Sequence, residues 1–461
     1  MRLSRGFYIA VLLAVSVTLL IAGWSLYVKK TTPEELLYVP KRAVMTPELE
    51  LLRRYVQIDT TNPPGNETEG ARFLVDVLKR HGIESELIES APGRGNVYAR
   101  IEGRRPGEGL LLLNHIDVVA ADPERWSKPP FEGEVEYNMM YGRGTLDMKG
   151  VGITQLLAFI ELARSGRVPE RDVVFLATAD EEQGSRLGIE WLLEHRPDVI
   201  EGVRYAVNEG GITETIKEEV VYFAVETGSR QMVSLRLSAS DRDTIRRIRL
   251  ELEPEFTSRD PERVLPEVRE YFRSIAPKRL AFAPYLQDID GTIEQGEFWR
   301  LPDTYRALTR NDILMDGPSE RGERFEADLY LINLPDEDPD QVIARFRDRL
   351  SGHDVDIEVV RKMGPAPVSS TDTPMFRLIV ETVQREYGSN VTVGPLILHA
   401  GTTDSRYLRG RGIDVYGVWP FPVDYHQSQG IHGADERVRL DWFMSGVSMM
   451  KNLVREYATV E

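Results

Sequence analysis

The 461-residue chain contains no cysteine, which excludes a disulfide framework, a thiolate nucleophile and any thiolate-held metal. A metal site in this chain has to be built from His, Asp and Glu. Histidine is itself scarce, with seven in the whole chain and none between His195 and His353. Basic charge is in deficit too: 57 Lys and Arg face 74 Asp and Glu, for a net charge of -17. A surface of that sign repels a phosphate backbone, so nucleic acid is excluded as the expected partner. Pro-rich, Ser-rich and repetitive tracts are lacking as well, and a composition of 41% hydrophobic and 28% charged residues belongs to a chain that folds.

Long apolar runs are also absent, with one exception. Phe7 to Val28 is 22 residues without a charge, between Arg2 and Arg5 on one side and Lys29 and Lys30 on the other. At about 1.5 Å per residue it is long enough for a hydrocarbon core of about 30 Å. The run predicts a single-pass membrane anchor. A cleaved signal peptide is the alternative, although its apolar region is usually about 7 to 15 residues. With two positive residues on each flank, charge counting does not set the orientation; the bulk of the chain is expected outside the cytoplasm.

Length predicts two domains plus this appendage. Residues 1–43 are read as anchor and tether, and the folded part starts near residue 44. From there helices alternate with short apolar strands, an α/β pattern with a sheet covered on both faces. Helices are predicted over Pro47 to Val56, Gly70 to His81 and Met148 to Ser165, and strands over Asn96 to Ile101, Leu110 to Leu113 and Val173 to Ala177. Near residue 226 the pattern changes to alternating strands such as Met232 to Leu237 and Phe325 to Leu331, interleaved with helices. One of these helices has Asp338 as N-cap and Pro339 in its first turn. The α/β pattern returns after residue 363, with helices over Pro374 to Tyr387 and Leu440 to Tyr457. The organisation expected is a catalytic domain split into 44–225 and 364–461 by an α+β insert over 226–363.

Three of the apolar strands run into residues able to bind metal. Leu110 to Leu113 leads to His115 and Asp117, Val173 to Ala177 to Glu181 and Glu182, and Tyr205 to Val207 to Glu209. In open α/β sheets ligands gather at the carboxyl ends of strands, so these groups should share one crevice. Asp147, in the loop entering the long helix, and His432, ahead of the last one, complete the set. Singly, each has an ordinary explanation as a loop acid, a helix cap or a buried histidine. Jointly, His115, Asp147, Glu182, Glu209 and His432 suit two divalent ions sharing a carboxylate, with zinc the expected metal. Glu181 then remains as the general base beside Glu182 as ligand.

The segments Leu113-Asn-His-Ile-Asp-Val-Val119, Gly142-Arg-Gly-Thr-Leu-Asp-Met-Lys-Gly150, Thr178-Ala-Asp-Glu-Glu-Gln-Gly184, Asn208-Glu-Gly-Gly211, Gly401-Thr-Thr-Asp-Ser-Arg406 and Ile431-His-Gly-Ala-Asp-Glu-Arg437 stand in this order in the chain. In that order they resemble the M20 family of co-catalytic zinc peptidases, which includes carboxypeptidases, aminoacylases and desuccinylases. The resemblance implies a split zinc-peptidase domain carrying an inserted lid that often mediates homodimers. It implies that Asp147 bridges two metals, with His115 and Glu209 on one and Glu182 and His432 on the other. Glu181 matches the catalytic base, and Asp117 the carboxylate that orients the ligand imidazole.

The insert departs from that pattern. Where family lids carry a Gly-His-x-Ser segment for the oxyanion, this chain has Ser238-Ala-Ser-Asp241. Where a lid arginine takes the substrate carboxylate, it has Ile332 or Asn333. His399 and His426 are candidates to compensate. The function expected is hydrolysis of amide bonds in small peptides or N-acyl amino acids. The competing reading is a metal-retaining extracytoplasmic binding protein, which would not need Glu181. A serine or glycosidic hydrolase is disfavoured, since neither a nucleophile elbow nor an isolated carboxylate pair stands out.

Overall fold

Four consecutive leucines, Leu110 to Leu113, are fully buried at the centre of a nine-stranded sheet, where apolar side chains on both faces are covered by helices. The computed structural model describes residues 44–216, 219–257, 261, 263–363, 367–398, 401–423 and 425–459. The expected membrane anchor lies outside the described residues, among which no helix is long and apolar enough to cross a membrane. Residues 45–461 form one compact unit.

The large sheet is mixed. Its order is Glu86–Ala91, Arg94–Ile101, Arg171–Thr178, Arg105–His115, Val203–Asn208, Asp414–Gly417, Glu219–Ser229 and Thr392–Leu398, with Ile212–Ile216 beside Glu219–Ser229. The three strands read from sequence as ending in metal ligands, Arg171–Thr178, Arg105–His115 and Val203–Asn208, are adjacent and parallel. Their carboxyl ends therefore open on the same edge, which is the physical basis for one crevice. Helix Lys149–Arg164 packs between this sheet and the last helix, Leu440–Thr459.

A second sheet of five antiparallel strands takes the order Asp312–Met315, Arg324–Asn333, Gln231–Ala239, Asp356–Lys362, with Ser319–Arg321 on Arg324–Asn333. Helices Arg242–Thr257 and Pro339–Arg349 cover one of its faces through Ile245, Ile248, Leu252, Val342 and Ile343. The second helix is capped by Asp338, whose carboxylate accepts the Asp340 N–H at 2.8 Å.

Between these strands lies a run of short helices starting at Pro266–Ile275. It packs on the large sheet, with Val268, Phe272 and Ile275 in one cluster with Tyr222, Ala224, Leu396 and Ile397. The residues of the expected insert are thus shared between the small sheet and a helical layer on the large one. The expected boundary at 225/226 falls inside strand Glu219–Ser229. The two halves are tied by buried Glu226, which accepts both N–H groups of Arg409 at 2.7 Å.

Candidate metal centre

His115 ends its strand with both ring nitrogens committed. Nδ1 lies 2.9 Å from the Asp117 carbonyl and Nε2 lies 3.1 Å from Asp147 Oδ1. Donation from Nδ1–H to that carbonyl leaves the Nε2 lone pair free to bind a metal. The Asp117 carboxylate sits farther from Nδ1, at 3.5 Å. Its nearer partners are the backbone N–H groups of Glu181 and Glu182, both at 3.1 Å, and the Asn62 amide at 2.9 Å. Asp117 thus orients the imidazole through its carbonyl and clamps the Glu181–Gln183 turn through its carboxylate.

Asp147 stands between the two histidines. Its Oδ1 faces His115, and its Oδ2 lies 3.0 Å from His432 Nε2. Glu209 Oε1 is 3.6 Å from His115 Nε2, and Glu182 Oε2 is 3.2 Å from His432 Nε2. The structure therefore brings together all five residues picked from sequence as ligands, in two imidazole–carboxylate pairs on either side of Asp147. Glu181 adjoins them: the ligand atoms of His115, Glu181 and Glu209 lie within 4.8 Å of one another, as do those of His115, Asp147 and Glu182.

The donor set fits divalent ions. Bonds of about 2.0 to 2.1 Å in a tetrahedral shell put neighbouring ligand atoms about 3.3 Å apart, which is the spacing found here. Glu182 Oε1 is buried with no hydrogen-bond partner among the described residues. Such an orphan is costly unless a cation takes it up. His432, in contrast, keeps 55% of its side chain exposed, so the centre is open on that side. His432 also holds a left-handed backbone, φ 55°, and Asp180, just before Glu181, one of φ 68°. Strain of this kind in non-glycine residues collects where a site fixes geometry.

The electrostatics describe a cluster short of positive charge. Burial pushes Glu209 up to about 8, with the charge of Asp147 adding to it. Burial, then Glu209, raises Glu181 well above the carboxylate range. Burial opposes ionisation of Asp147 too, but the hydrogen bonds from His115 and His432 outweigh it and hold its carboxyl far below normal. Hydrogen bonds to Asp147 and Glu182 raise His432 to about 10. Imidazolium protons here stand where a metal would place its charge, and a bound cation would displace them.

Sequence reasoning passed over Glu436. It is fully buried and receives four donors: Leu146 N–H at 2.7 Å and Asp147 N–H at 3.0 Å on one oxygen, Arg143 at 2.6 Å and Gly144 N–H at 3.0 Å on the other. It fixes the loop that presents Asp147. Asp404 is a second such residue, buried beneath Glu181 and accepting from Thr178 Oγ1 at 3.0 Å and from Ser185 Oγ. The signal available was position, since both lie within segments that resemble family motifs.

The small sheet supplies neither expected lid group at the expected places. Asp241 caps the following helix by accepting the Thr244 N–H at 2.8 Å. Asn333 is buried, with its amide donating to the Leu331 carbonyl at 3.2 Å. His399 and the side chain of His426 lie outside the described residues.

The model of peptidase family M20/M25/M40 matches residues 111–456. Human aminoacylase-1 is 26% identical over 434 residues, spanning 90% of this chain and 96% of that protein. A probable succinyl-diaminopimelate desuccinylase of Staphylococcus aureus is 34% identical over 137 residues, which is 30% of this chain and 33% of that protein. That match therefore spans one third of the desuccinylase. Among solved structures, an M20 family metallo-carboxypeptidase of Sulfolobus solfataricus superposes with a TM-score of 0.66 at 20% identity, covering 90% of this chain and all (100%) of that one. At that identity the likeness speaks for the fold.

Proposed function

The chain belongs to peptidase family M20/M25/M40, and from that premise we propose that it hydrolyses amide bonds of small peptides or N-acyl amino acids. Two divalent ions, zinc by the donor chemistry, would be held by His115 and Glu209 on one side, Glu182 and His432 on the other, and Asp147 between them. When bound, they supply Lewis acidity, which polarises a carbonyl and makes water a nucleophile at neutral pH.

The remaining work falls to the chain. Glu181 takes a proton from the attacking water and returns it to the leaving amine. Burial and the neighbouring carboxylate raise its proton affinity, which suits it to both halves of that task. Asp117 holds the backbone of base and ligand together, so Glu181 and Glu182 keep a fixed relation to His115. Glu436 does the same for Asp147.

The observation that supports an enzyme over a binding protein is Glu181 itself. Its carboxylate accepts no hydrogen bond from the described residues, yet it sits recessed among other acids. A binder has no use for such a costly group. The test is a panel of dipeptides and N-acetyl amino acids offered to the zinc-supplied full chain. Turnover is expected that a chelator abolishes and added zinc restores. Turnover indifferent to chelation would contradict the proposal.

A further inference from the structure

Strand Asp356–Lys362 alternates, with Ile357 and Val359 packed on the core of the small sheet. A strand period of two would send Arg361 to the same apolar face. A register shift opposite Ser234 and Leu235 intervenes: Leu235 pairs with Val359, but its neighbour Ser234 pairs with Arg361. The irregularity turns Arg361 to the opposite face, the re-aiming that bulges perform. There its guanidinium lies against Gly184. A Cβ on Gly184 would fall 2.0 Å from Arg361 Nη2, which shows how closely the guanidinium approaches, and Gly184 adopts φ +101°, a conformation that favours glycine.

Arg361 borders a cavity of about 540 Å³ at the seam between the small sheet and the catalytic loops. Arg186, Arg361, Lys362, Arg406 and Arg411 line it against a single acid, Glu190. That concentration of cations is unusual in a chain of net charge -17. Lys362 is engaged by Asp340, and Arg406 by the Thr403 carbonyl and the Tyr407 ring. The side chains of Arg361 and Arg186 make no hydrogen bond or ion pair with any described residue. Burial and the charge of Arg406 both disfavour the Arg361 cation, which an incoming anion would relieve. Gly184, which lines the cavity, stands two residues beyond Glu182, so at about 3.8 Å per step their Cα atoms are at most about 8 Å apart. A substrate of dipeptide size spans that distance.

We propose that this cavity receives a carboxylate of the substrate distal to the scissile amide, gripped by Arg361 with Arg186, so that the enzyme selects substrates that carry an anion at that distal position. A carboxylate has two oxygens and about four lone-pair sites, enough to accept from both the Arg361 and the Arg186 forks. The inference rests on the hydrolase reading above and adds its specificity.

The test is a ratio of kcat/KM between acidic and isosteric uncharged substrates for the full chain: Ala-Glu against Ala-Gln for an anion on the amine side, and N-glutaryl-alanine against N-pentanoyl-alanine for one on the acyl side. A preference of about 10- to 100-fold for the acidic member of one pair is expected, the size of a charged hydrogen-bonded contact. Arg361→Gln should cut that ratio about tenfold, and Arg361→Lys should restore part of it. The ratio is unaffected by a misfolded fraction, which lowers both members equally. Wild-type ratios near one in both pairs, or a ratio unchanged in Arg361→Gln, would overturn the specificity while leaving the hydrolase standing. Absence of turnover on all four substrates would overturn both.

Discussion

Glu181→Gln is expected to lower kcat by about 100- to 10,000-fold while leaving metal content at the wild-type level. The rate loss is the range measured when a positioned general base is removed. Gln keeps the volume and the backbone contacts to Asp117 but cannot accept a proton from water. The unchanged metal content is the sharper half of the prediction. Glu181 lies with His115 and Glu209 within 4.8 Å, so geometry alone offers it as a third ligand in place of Asp147. If Glu181 were a ligand, its amide variant would bind less metal, and the rate loss would follow occupancy. Elemental analysis of both proteins beside their turnover separates the roles. Loss of metal in proportion to loss of rate would make Glu181 a ligand and leave the base unassigned.

Glu436→Gln is expected to weaken metal binding about 10- to 100-fold and to cost about 3 kcal/mol of stability. Every oxygen of Glu436 meets donors only, two on each. An amide in either orientation turns its N–H₂ toward two of them and leaves Arg143, itself buried, without its counter-charge. With the amide oxygen kept toward the Arg143 cation, the N–H₂ faces Leu146 and Asp147, whose N–H groups lose their acceptor, so the carboxylate shared by the two imidazoles is displaced. Glu436 is a positioning residue, and the metal titration tests that role, because a purely structural residue would lower the melting temperature without moving affinity. Zinc affinity within twofold of wild type in the folded variant would contradict it.

How much of this was legible in the sequence depends on how local each signal is. Helix Pro374–Tyr387 has the predicted bounds because its capping Thr373, first-turn proline and following Gly388 are all adjacent in sequence. Strand ends carrying His115, Glu182 and Glu209 were legible for the same reason, since an apolar run followed by a polar ligand is a short-range pattern. The helices from Pro266 onward were not assigned to the large sheet. Their amphipathic face is visible in sequence, but its partners at Tyr222 and Leu396 are remote. Glu436 looked like one more acid in an acidic stretch, and its donors lie about 290 residues upstream. Arg361 escaped because strand periodicity puts it on the apolar face with Ile357 and Val359, and the register shift that turns it away is not visible in the sequence.

The central claim is a dinuclear centre built around Asp147, and elemental analysis of the zinc-supplied, gel-filtered full chain tests it most directly. Two equivalents of metal per chain are expected in the wild type. Asp147→Ala should retain well under one, because both imidazole–carboxylate pairs lose the group between them. One equivalent or none in the wild type, or two retained in Asp147→Ala, would contradict the account.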